Sequence, residues 1–135
     1  MSKKMAMLLF LPALLLTIST APKDAAAEDE IFRVKSMSDS KAQIKFFSKN
    51  RNHVWPGTDQ AYNLDDYGEH HFKLACESGE QICYGAWVTG DGSRWWGVGP
   101  DGKKGCSNCC YTCEGKDTRH IVLNPAPPAR TGNID

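Results

Sequence analysis

All six cysteines of this 135-residue chain lie between Cys76 and Cys113. Four of them, Cys106, Cys109, Cys110 and Cys113, form two abutting C-x-x-C units. Whether such a cluster staples a fold, binds a metal or exchanges electrons depends first on the redox compartment. The N-terminus bears on that. Lys3 and Lys4 form a basic start, residues 5–18 are apolar, and a small-residue stretch ends in Ala25-Ala26-Ala27. This is the pattern of a secretory signal peptide with an A-x-A cleavage site. The apolar run falls short of the roughly 18–20 residues that span a bilayer, and Pro12 interrupts it. We therefore expect residues 1–27 to be removed, the protein to be periplasmic or secreted, and no membrane span to remain. An intact-mass measurement on exported material should give a chain starting at Glu28; a membrane-retained chain starting at Met1 would refute this.

In an oxidising space the six cysteines, Cys76, Cys83, Cys106, Cys109, Cys110 and Cys113, are expected to pair in three disulfides, with the pairing itself not readable from spacing. Zinc is the weaker reading. Knuckles of two C-x-x-C pairs normally separate them by a dozen or more residues, and Cys109 and Cys110 cannot easily both face one ion. A redox-active C-x-x-C usually leans on a helix start, and no helical pattern follows Cys113.

The remaining pattern is that of short strands. Residues 31–37 and 41–47 alternate, with Ala42, Ile44 and Phe46 on one face and Gln43 and Lys45 on the other. Residues 70–76 and 81–89 read as a hairpin turning near Gly79. That hairpin would set Cys76 or Leu74 opposite Cys83, and would place Phe72, Leu74, Cys76, Cys83 and Trp87 on one buried face. Residues 94–98 and 120–123 are further strands. The expected fold is all-β: a small disulfide-stapled β-sandwich or open barrel of about six or seven antiparallel strands. It would occupy residues 28–124 as a single domain, followed by a disordered Pro-rich tail at 125–135.

Between the second strand and the hairpin, residues 48–67 read as a long loop, and loops of this length are usually functional unless partly structured. This loop carries Trp55, Tyr62, Asp65 and Asp66, with Trp55 expected as an exposed contact. Trp95 and Trp96 are adjacent, so in a strand they face opposite sides. His70 and His71 do likewise, which argues against both joining one metal site. Asp65 and Asp66 lack the calcium-loop pattern. No nucleophile elbow, zinc-protease helix or phosphate loop is present, so no catalytic residue and no cofactor are assigned. With 16 Lys+Arg against 16 Asp+Glu there is no basic excess for nucleic acid. The expectation is a non-catalytic domain. It binds a protein, peptide or glycan through Trp55, Tyr62, Asp65, Asp66, Trp95 and Trp96. The competing reading gives the cysteine cluster from Cys106 to Cys113 a metal-binding or thiol-redox role.

Overall fold

The computed structural model describes residues 26–125 together with Leu16 and Ile18. The expected signal segment and the Pro-rich tail lie almost wholly outside the described residues. Among the described residues the fold is all-β, with nine strands. They are β1 (Ala27–Ser36), β2 (Ala42–Ser48), β3 (Val54–Trp55), β4 (Tyr62–Leu64), β5 (Glu69–Glu77), β6 (Gln81–Val88), β7 (Asp91–Gly97), β8 (Cys110–Thr112) and β9 (Ile121–Leu123). One sheet has the order β5-β1-β9. The second is built on β2 and β6: β3 and β4 pair with β2, and β7 and β8 pair with β6.

The two sheets enclose one core because the apolar residues alternate with period two. Phe32 and Val34 of β1, with Leu74 and Cys76 of β5, meet Ala42, Ile44 and Phe46 of β2 and Ile82 and Ala86 of β6. Aromatic rings fill the middle. Phe32 and Phe46 are 4.7 Å apart between centroids, and Tyr62 and Phe72 are 4.6 Å apart.

The count exceeds the expected six or seven strands because β3, β4 and β8 are too short to show a period. The pairing is also not wholly antiparallel, since β9 runs parallel to β1, with Val34 against Ile121.

The expected hairpin does not form. β5 pairs with β1 over nine positions, from Ala27↔Glu77 to Lys35↔Glu69, whereas β6 pairs with β2. The turn at Gly79, with φ near +85°, carries the chain from one sheet to the other. β6 has no edge left for β5: β2 lies along one side, and β7 and β8 share the other. Cys76 and Leu74 therefore do not oppose Cys83. Phe72, Leu74 and Cys76 do share the core face, but Cys83 belongs to a second cluster with Val98 and Cys109 on the far side of its sheet. Trp87 shares that outward parity and is half-buried there, not a core residue.

Trp55 is the other reversal. It is 7% exposed and sits opposite Phe46 in the core. Its indole Nε1 donates to the carbonyl oxygen of Ala75 at 3.1 Å. That carbonyl belongs to β5, the edge strand of the opposite sheet, so one side chain ties the two sheets together and occupies an edge acceptor. The long loop is thus partly structured, as β3 and β4.

Candidate functional site

The expected binding residues are not brought to one place. Trp55 is interior. Tyr62 packs on Phe46 and Phe72, and burial raises its hydroxyl pKa. Asp65 is exposed and lines a shallow cavity of about 210 Å³ with Ser38, Lys41 and Tyr67. Asp66 holds the His70 ring at 2.8 Å and accepts the Gly68 N–H, and these two contacts lower its carboxyl pKa. Trp96 packs against the main core, and its Nε1 donates to the Asn124 carbonyl. Trp95, as expected, faces the other way.

What the fold does assemble is a row across the outer face of the larger sheet. Gln43 of β2 lies opposite Asn63 of β4 on one side and Trp87 of β6 on the other, and Trp87 lies opposite Trp95 of β7. The inward neighbours Ile44, Leu64, Ala86 and Trp96 all pack in or against the main core, so these four point outward. Gln43 Nε2 donates to Asn63 Oδ1 at 3.2 Å. With strands about 4.8 Å apart, the row is about 14 Å long. Gln43 and Lys45 show their outward parity in the sequence, but Asn63 and Trp87 join them only through pairings between distant segments.

The neighbouring part of this face is covered. Residues 98–109 fold back over Phe47 and Cys83, held by bonds from Val98 N to Tyr84 O and from Tyr84 N to Cys109 O. Gly85 is required there: a Cβ would stand 2.0 Å from the Gly99 carbonyl oxygen. At the border, Lys104 places its Nζ 4.9 Å from the Trp95 ring centroid. The cover thus bounds the row and orients one of its two indoles.

Charged groups gather elsewhere. On the outer face of the smaller sheet, Glu69 holds His71 and Arg33 through Oε1 and His120 through Oε2. The His71 hydrogen bond above all, aided by Arg33 and His120, keeps its carboxyl below the usual range against the opposing effect of burial. His70 and His71 do face opposite ways. Among the described residues, no group of three or more His, Cys, Asp or Glu is arranged to hold a metal ion.

All six cysteines are paired: Cys76–Cys113, Cys83–Cys110 and Cys106–Cys109. The first two span 37 and 27 residues and join separate strands or segments; the third spans 3. In the loop-entropy account this predicts a stabilisation of about 4 kcal/mol for the longest span and about 2 kcal/mol for the shortest. Cys113→Ser should therefore lower the denaturation midpoint of the oxidised protein markedly more than Cys109→Ser. Equal losses would show that span does not govern these bridges.

Fold and site together define a small disulfide-stapled β-sandwich with an aromatic and amide row on one outer face. No protein family, no curated protein and no solved structure matches this chain. Among the described residues, no helix is long and apolar enough to cross a membrane.

Proposed function

We propose that this is an exported, non-catalytic domain that binds a glycan across the outer row Asn63, Gln43, Trp87 and Trp95. The single observation that carries the reading is the composition of that row in register: two indoles beside two primary amides, with no carboxylate among them. An indole face suits the apolar C–H face of a sugar ring, and it is rigid, so little entropy is lost on stacking. A primary amide offers both donors and an acceptor, which matches vicinal hydroxyls. The length of the row fits two or three linked sugar rings. The signal-like N-terminus and the three disulfides support export to the periplasm or the cell exterior. The binding role expected of the long loop passes to the sheet face, because the loop's tryptophan is spent on the core.

The test is retardation of the processed protein in gels containing neutral polysaccharides, with a proline-rich peptide as the competing ligand class. Trp87→Ala and Trp95→Ala should each weaken glycan binding by about tenfold or more, as expected for anchoring aromatics. Gln43→Ala should weaken it less. Binding of the peptide and not of any polysaccharide would replace the glycan reading, and equal retardation of wild type and both tryptophan variants would move the site off this face.

A further inference from the structure

We propose that Cys106–Cys109 is a thiol–disulfide exchange site, opened and closed by a low-molecular-weight thiol while the other two bridges stay shut. This is independent of the glycan reading. The observation behind it is an asymmetry within the bridge. Cys106 is exposed, on a segment outside any strand, whereas Cys109 is 1% exposed and packed with Cys83 and Val98. A reagent in solvent therefore meets only the first sulfur. Cys76 and Cys113 are both buried, so their bridge presents no sulfur to attack. Cys83–Cys110 shares this exposed and buried asymmetry, but Cys110 is fixed in the β6–β8 pairing opposite Cys83, whereas Cys106 lies outside any strand and can turn its sulfur toward an attacking thiolate.

Two further features fit exchange. Lys103 and Lys104 precede Cys106 by three and two residues and are exposed, which favours the approach of an anionic thiolate. They stand in for the helix start that such motifs usually use, since the strand β8 begins immediately after Cys109. The short span also means that opening the bridge frees little chain, so Cys109 remains beside Cys106 and recloses it.

The step balances as follows. A thiolate RS⁻ attacks Sγ of Cys106, the Cys106–Cys109 bond breaks, and its electron pair leaves on the Cys109 sulfur, which takes a proton from solvent. The product is a mixed disulfide between R and Cys106. A second RS⁻ attacks the R-side sulfur and releases Cys106 as a thiolate together with RSSR. Two thiols have then supplied two electrons to the bridge. In the reverse direction Cys106 attacks RSSR, and Cys109 displaces the remaining RS⁻.

The oxidised full chain should be titrated with reduced glutathione under native conditions, quenched with iodoacetamide and peptide-mapped. Cys106 and Cys109 should alkylate at a glutathione concentration at least about tenfold below that needed for the other four, with the β-sheet circular dichroism unchanged. Alkylation of all six together, or of Cys83 and Cys110 first, would overturn the proposal. The Cys109 sulfur lies 4.0 Å from that of Cys110, so label on Cys83 directly reports leakage onto the second bridge. In a second experiment the reduced wild type, offered glutathione disulfide, should reclose without accumulating an adduct, while Cys109→Ser should trap glutathione on Cys106. An adduct that persists equally in both would also overturn it. If Cys109→Ser does not fold, the wild-type titration still decides.

Discussion

Trp55→Ala is expected to lose about 3–5 kcal/mol of stability, the usual range for truncating a large buried aromatic. Four contacts disappear together. The ring leaves its place opposite Phe46 in the core, the edge carbonyl of Ala75 loses its donor, and the His53 ring and the Arg51 guanidinium lose the surface they rest on, at 4.4 Å and 5.6 Å from the indole. For a domain of this size each kcal/mol corresponds to roughly 4–8 °C in Tm, so the change should be plain in a thermal scan. Trp55→Phe separates the causes. It keeps most of the packing and removes the N–H, so it should cost about 1 kcal/mol for the bond, plus whatever the smaller ring leaves unfilled. An unchanged Tm for Trp55→Ala would mean that this ring lies outside the core.

Glu80 should produce the other large effect, and it brings a pH dependence. Its carboxylate is buried at the turn between the sheets, where Arg51 grips both oxygens, Ser48 Oγ donates to Oε2, and the Glu77 N–H donates to Oε1. Burial alone would raise its pKa. The Arg51 and Ser48 hydrogen bonds, the Glu77 N–H and the Arg51 charge outweigh it and bring the carboxyl from 4.5 to about 2. The folded state thus holds the proton less tightly than the unfolded chain. The resulting stability is complete above the unfolded value and is lost as pH falls through the folded one. From about pH 5 down to about pH 2 this one group should remove about 3 kcal/mol. On the surface, Glu69 and Asp66 are also held below their ordinary values by their partners. Glu80→Gln isolates the buried group. It should destabilise the protein by about 3 kcal/mol near neutral pH, as protonation does, because the neutral amide no longer gives Arg51 and Ser48 a charged acceptor and leaves Arg51 only Glu77, at 4.0 Å. It should also flatten the acid limb of the denaturation curve. A variant whose acid limb matches the wild type would place the acid sensitivity in the surface carboxylates.

The same turn separates what local pattern carries from what it does not. Period-two alternation in residues 42–46 and 72–76 identifies strands and their apolar faces, because pleating sends successive side chains to opposite sides whatever the partner. Gly79 likewise marks a turn from its own backbone freedom. Neither says which strand lies alongside. A glycine turn between two strands reads as a hairpin, but here it crosses between sheets, because β1 offers β5 a nine-position ladder and β6 is enclosed by β2, β7 and β8. Reassigning β5 moves Cys83 and Trp87 from the core to the outer face, since the cross-strand parity that placed them inside belonged to a pairing that does not exist.

The candidate site follows the same division. That Trp95 and Trp96 face opposite ways, and that Gln43 points away from Ile44, are consequences of backbone geometry within one strand. So is the divergence of His70 and His71. The meeting of Asn63, Gln43, Trp87 and Trp95 in one row depends on the registers of four strands, set by the sum of buried contacts over the whole sandwich. Composition and the even number of cysteines called for an oxidised, stapled β-domain. Which sulfurs meet, and that Trp55 closes the core instead of reaching for a ligand, were decided by chain segments distant in sequence, because burial and disulfide geometry are properties of the packed sheets and not of any one segment.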